Sequence, residues 1–248
     1  AELGYDGISV GLDRCPSLPK LLEELDQRDL RLFSVYAGIN IDAGQEPYST
    51  ALMDAMKALD GRNTILWLFM RSAEHEPSSQ AGDERALAIL RELADRAAKY
   101  NVRISLYPHH GFWLERIEDA LRIANQVDQS NVGVTFNLCH WLRVSPDKSA
   151  EALLREAMPR LSLVSINGAD SDGKDWNTLI QTLDRGTFDM AGFLKTLADV
   201  GYTGPIGLQA YGIGGDAQEN LKRSMEAWKE CSRAWYGDVS AFGAPGER

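Results

Sequence analysis

The sequence predicts an α/β fold, a (β/α)8 barrel, and three observations carry that expectation. Short β-type runs alternate with longer helical periods along the chain. Several of those runs are apolar nearly throughout, as parallel strands covered on both faces are. The length of 248 residues suits one such domain, since these barrels take about 250 residues.

Taken in order, strands are expected at Gly7–Gly11, Arg31–Ala37, Thr64–Met70, Val102–Tyr107, Val132–Phe136, Leu161–Ile166 and Ile206–Ala210. Between them lie amphipathic stretches. In Asp83–Lys99, residues Ala86, Leu87, Leu90, Leu93, Ala94 and Ala97 follow the i, i+3, i+4 spacing of one helix face. Leu114–Val127, Ala150–Met158, Ala191–Val200 and Ala217–Trp235 read the same way, and Ser49 or Thr50 caps a further helix that ends at Gly61. The β-then-α order implies parallel strands joined by right-handed crossovers. The strands read here are one short of a closed barrel. The opening run AELGYDG reads as a helix end passing into a strand. Either a first strand and most of a first helix are missing from this sequence, or another segment closes the barrel. A single domain over residues 1–236 and a Gly-, Ala- and Pro-rich tail over 237–248 are expected.

The formal charge of −10 disfavours a general nucleic-acid binder, because an acidic surface repels phosphate backbones. Three scattered cysteines form no CxxC pair and no disulfide framework, so a reducing, cytoplasmic compartment is the simplest expectation. No apolar run reaches the roughly 18 residues of a membrane span. Barrel rims often pair, which leaves homo-oligomer formation open.

Several segments, in order, resemble the xylose isomerase-like TIM barrel superfamily, which includes sugar-phosphate isomerases, epimerases and the family 2 apurinic endonucleases. Leu3–Ile8 (LGYDGI) resembles its second strand, and Asn101–His110 (NVRISLYPHH) its fifth. Asn131–His140 (NVGVTFNLCH) resembles the sixth, often written VGxxxDxxH. Leu163–Asp170 (LVSINGAD) resembles the seventh, which commonly ends HxxD. DRGTFD, then LADVGYTGPIGLQ ending at Gln209, resembles the close of the barrel. The resemblance implies a sugar-like ligand at the strand C-terminal ends. It also implies a divalent cofactor metal, Mn²⁺ or Mg²⁺, held by Glu, Asp, His and Glu. Those places fall on Tyr107, Asn137, Asn167 and Gln209. Uncharged amides and a phenol are poor donors for such a cage, so no metal ligands are expected.

Candidate catalytic residues are His109, His110 and His140, which follow strand ends where barrel active sites form and can titrate near neutrality. Tyr107, Asn137, Asn167 and Gln209 are expected to hydrogen-bond a substrate, or one another in a satisfied polar plug. Asp170, the one carboxylate read near these ends, is expected to orient His140 or a ligand or to cap a loop. Trp113 and Trp176 lie in βα loops and are expected to offer indole faces to a saccharide, or to pack on the rim. Cys139 reads as a buried spacer.

The expected function is a sugar isomerase or epimerase, or a lyase or hydrolase acting on a modified sugar, probing a small-molecule ligand without the usual metal site. The alternative is a non-catalytic carbohydrate-binding or partner subunit with a degenerate site. An apurinic endonuclease is disfavoured, since that chemistry clusters zinc ligands and the chain has only four histidines.

Overall fold

In the computed structural model, residues 1–233 are described, and the expected boundary at 236/237 lies outside them. The elements run β1 (Gly7–Gly11), α1 (Leu18–Asp26), β2 (Arg31–Asn40), α2 (Thr50–Ala58), β3 (Ile65–Arg71), α3 (Asp83–Ala98) and β4 (Arg103–Leu106). They continue with α4 (Ile117–Val127), β5 (Val132–Asn137), α5 (Leu138–Val144), α6 (Ala150–Ala157), β6 (Leu161–Ile166), α7 (Trp176–Leu179), α8 (Met190–Asp199), β7 (Ile206–Leu208) and α9 (Ala217–Cys231). Each strand pairs in parallel with the next, in the order β1 to β7, giving a nearly closed barrel wrapped by helices. β1 and β7 are its two edges. Between them the lumen opens into a cavity of about 2120 Å³ that runs from the strand N-termini to the mouth.

The expected strands are all present, with β2 three residues longer and β4 and β7 each two shorter than expected. Sequence patterning did not reveal α1, α5 or α7. Their starts are nonetheless set by local chemistry. Ser17 caps α1 with Pro19 in its first turn, Asn137 caps α5 directly at the end of β5, and Asp175 caps the short α7. The cap of α2 is Ser49, one of the two residues expected.

Alternation along the strands separates two environments. On β2, Val35, Ala37 and Ile39 point outward and are buried beneath the helices. The other face presents Ser34, Tyr36, Gly38 and Asn40 to the lumen. The lumen floor is a hydroxyl network. Trp67 Nε1 donates to Thr135 Oγ1 at 2.8 Å, Thr135 and Ser105 share a 2.7 Å bond, and Ser162 donates to Ser105 at 2.8 Å. Every buried hydroxyl in that chain has a partner, so the polar floor avoids the cost of unpaired burial.

Candidate functional site at the barrel mouth

The site begins where β4 ends. The chain turns tightly after Tyr107: His109 N bonds Leu114 O, Phe112 N bonds His109 O, and Gly111 takes φ +77°, a left-handed geometry that suits glycine. This turn lays the His109 ring flat on Phe112, with centroids 3.9 Å apart and planes 14° apart. It also brings His109 within 4.0 Å of the His140 ring. His140 arrives from the other side, in the first turn of α5, and is 5% exposed.

Hydrogen-bond partners assign the tautomers. His109 Nδ1 lies 2.8 Å from the carbonyl of His110, which can only accept, so the neutral ring carries its proton on Nδ1 and leaves Nε2 bare. His140 Nδ1 accepts from the His110 backbone N–H at 3.3 Å, so the neutral ring carries its proton on Nε2. Burial lowers the pKa of His109, only partly opposed by the His110 carbonyl, and burial with the neighbouring His109 holds His140 well below its ordinary value. The two rings are thus a neutral acceptor and a neutral donor, side by side. His110 itself lies 3.2 Å from Glu115 through Nδ1, without hydrogen-bond geometry.

Beneath them, Asn137 is held by its own backbone neighbourhood. Its Oδ1 accepts from the His140 N–H at 3.2 Å and from the Cys139 thiol at 3.0 Å. That fixes the amide so that Nδ2 donates to the Tyr107 phenol oxygen at 3.0 Å. Gln209 reaches the same phenol from the end of β7. Burial raises the Tyr107 pKa well above its usual value, followed by the effects of Cys139 and Tyr36, so the phenol keeps its proton and is a donor. The Cys139 thiol is pushed up to about 12 by burial and is no nucleophile at neutral pH.

Tyr107, Asn137 and Gln209 therefore converge. Asn167 does not join them: it is fully buried and its Nδ2 donates to Gly168 O and Leu179 O, while its Oδ1 has no partner among the described residues. Trp176 stands at the mouth, 42% exposed, with its ring 5.4 Å from His140 and 5.8 Å from His110.

Two residues take the second of the roles expected for them. Trp113 is 1% exposed and donates from Nε1 to Ser79 O, wedged against Gly82 outside the lumen, because Leu114 N is drawn back onto Met70 O. Its indole face is not offered to the lumen. Asp170 caps its own loop, accepting from Thr187 N at 3.2 Å, and no contact with His140 is present among the described residues. Nor is it the one carboxylate near the strand ends. Asp13 lines the cavity after β1, and Glu115 faces His110. Sequence reasoning also missed Tyr36 and Trp67, both lumen-lining, with Tyr36 5.3 Å and Trp67 4.4 Å from the Tyr107 ring. Counting by twos along β2 and β3 from the residues that face the core would have found them.

The donor set does not suit the divalent metal that the resemblance implies. Asn137 has spent its oxygen on a helix cap and a thiol, Tyr107 stays protonated, and none of the four groups is anionic. Among the described residues, no group of three or more His, Cys, Asp or Glu converges to hold a metal ion. No described helix is long and apolar enough to cross a membrane.

A parallel barrel with polar side chains gathered over the C-terminal ends of its strands is a scaffold whose ligand sites form at that mouth. The family described as xylose isomerase-like TIM barrel matches residues 1–231, and this chain belongs to it. Its fold is similar to that of a 3-keto-D-glucoside 4-epimerase from E. coli, with TM-score 0.72 and 18% identity over 92% of this chain and 90% of that one. It is also similar to a D-psicose 3-epimerase from Clostridium cellulolyticum H10, with TM-score 0.68 and 17% identity over 94% and 90% of the two chains. A 3-dehydroshikimate dehydratase from Pseudomonas aeruginosa is 30% identical over 146 residues, 56% of this chain. The match spans 22% of that curated relative's length.

Proposed function

We propose that the protein is an isomerase-type enzyme acting on a small polyhydroxylated carbonyl compound, sugar or modified sugar, at the barrel mouth, without the family's usual metal cage. The observation that carries this reading is the pairing of a bare His109 Nε2 with a protonated His140 Nε2, rings 4.0 Å apart and both lining the cavity. His109 Nε2 takes a proton from the carbon next to the carbonyl. The bonding pair moves onto the carbonyl oxygen, where the Tyr107 O–H and the His140 Nε2–H receive the developing charge. Passing the proton of the adjacent hydroxyl to the former carbonyl oxygen and returning the first proton to the former carbonyl carbon completes an isomerisation. Alternatively the enolate pair re-forms the carbonyl and expels a hydroxyl from the next carbon, which leaves as water with the proton that His109 has just taken; that is a dehydration. The Pseudomonas relative is named a dehydratase, in keeping with the second outcome.

Both rings sit on one wall, formed by the ends of β4 and β5. That favours proton removal and return on one face of the substrate over inversion, which needs an acid on the opposite face. Trp176 supplies a flat apolar surface beside them.

The test is proton exchange in D2O. Incubating the protein with a panel of ketoses and keto-sugars should wash deuterium into the carbon next to the carbonyl, read by NMR, and His109→Asn should stop it. A second reading, a carbohydrate-binding subunit without turnover, is favoured by the replacement of all four groups that the family resemblance marks as ligands, three of them carboxylates. Calorimetric binding of a panel sugar with no deuterium incorporation would establish that reading and sink the first.

A further inference from the structure

On β3 the residues Ile65, Trp67, Phe69 and Arg71 share one face, and Trp67 Nε1 reaches Thr135 on β5, so that face is the lumen face. Arg71 is therefore the topmost lumen-side residue of β3. Its guanidinium lies over Phe69 at 5.1 Å and near Phe112 at 5.7 Å from the ring centroids, and Phe112 is the ring on which His109 is stacked. Room for Phe69 is provided by Gly38 on the neighbouring strand, where a Cβ would come within 2.6 Å of the Phe69 ring. Arg71 is exposed and makes no ion pair among the described residues, unlike Arg62, Arg122 and Arg155, which hold carboxylates. Its positive charge is felt at Tyr36 and at His109, both of which line the cavity.

We propose that Arg71, braced on Phe69 and Phe112, is an anion subsite at the barrel mouth, so that the compound handled beside His109 and His140 carries a carboxylate or a phosphate. This rests on the proposed function above and narrows its substrate class to acidic sugars and sugar-like acids. A guanidinium pre-set on aromatic faces loses little freedom on forming a two-point contact with a carboxylate or phosphate. Docking the anion there leaves the rest of the molecule to lie along the Phe112–His109 stack toward Trp176. Asp13, whose charge is also felt at Tyr36, forms no ion pair with Arg71 among the described residues.

Three probes of similar size separate the possibilities: D-fructose, D-glucuronate and D-fructose 6-phosphate, titrated calorimetrically, with the imidazole signals of His109 and His140 followed by NMR. One of the two anionic probes should bind about tenfold or more tighter than fructose, the effect of one charge-assisted contact. Which anion it is identifies the source. In Arg71→Gln that preference should vanish while binding of fructose stays unchanged, and Arg71→Lys should restore only part of it. Arg155→Gln, far out on α6, should retain the preference. Equal binding of all three probes, or an anion preference that survives in Arg71→Gln, overturns the subsite while leaving the histidine reading intact. If no probe perturbs the histidine signals, the reading of the mouth as a ligand site falls, and the anion subsite with it.

Discussion

Asn137 donates a 3.0 Å hydrogen bond to the Tyr107 phenol, and the same side chain caps α5 by accepting from the His140 backbone. One amide thus ties the phenol at the end of β4 to the helix that carries His140. A carboxylate at this position could cap the helix but could not donate to the phenol, which is why an amide suits a site built on neutral groups.

Replacing that amide should loosen both. Asn137→Ala removes a helix cap, takes one of two amide partners from the Tyr107 oxygen and leaves the Cys139 thiol without its acceptor. A loss of about 2 kcal/mol is expected, measured by urea unfolding. A change much under that size would mean the cap and the phenol contact are dispensable.

The buried histidines make stability depend on pH. Their folded-state pKa values are lowered, so between the folded values and about 6.5 the unfolded chain binds protons that the folded chain refuses. Stability is therefore full above about 6.5 and falls as the pH drops below it, levelling once the folded rings also protonate. Unfolding midpoints taken from neutral to acidic pH should show this fall, and His140→Asn should flatten it. For the same reason, the acid limb of the catalytic rate should lie below the ordinary histidine value.

Gly38 should tolerate no side chain. Gly38→Ala brings a Cβ to within 2.6 Å of Phe69, whose ring packs on Tyr36 at 4.6 Å and Phe112 at 5.2 Å. Overpacking of this kind costs about 1–3 kcal/mol. Thermal unfolding should register the loss, and a variant as stable as the parent would show that Phe69 can move freely.

Two tryptophans should separate binding from stability. Trp176 is largely exposed at the mouth, so Trp176→Ala should change stability by about 0.5 kcal/mol or less while weakening sugar binding. Trp113 is buried with its Nε1 bonded to Ser79, so Trp113→Phe should lower stability and leave binding unchanged. Calorimetry and unfolding on the same preparations decide both. The reverse pattern would contradict the placement of the two indoles.

The barrel was legible because its cause is local and repeated. Runs such as Val132–Phe136 and Leu161–Ile166 must be buried on both faces, and the helical periods between them supply the cover. Helix α5 escaped notice because it follows directly on the last residue of a strand, so no polar linker announces it, whereas α1, as long as α2, was missed although Ser17 and Pro19 mark its start. At the mouth, residue types at strand ends singled out Tyr107, Asn137, His109, His140 and Gln209. The two roles expected for Trp113 stayed open because an aromatic residue in a βα loop carries no sign of which way the loop folds. That direction came from Leu114 N bonding back to Met70 O, a contact between segments far apart in the chain.

The chain's own order of residues determined the parallel barrel and the absence of carboxylates at the four strand ends where the related family places a metal. Only the tertiary structure decided what those neutral groups do. Asn137 turns its nitrogen to Tyr107 because a helix N-terminus claims its oxygen, and Asn167 turns away to two backbone carbonyls. Protonation was decided there as well: which ring nitrogen carries a proton depends on what faces it, and His110 presents a carbonyl to one histidine and an N–H to the other. Hydrogen-bond direction is a property of neighbours in space, and neighbours in space are set by folding.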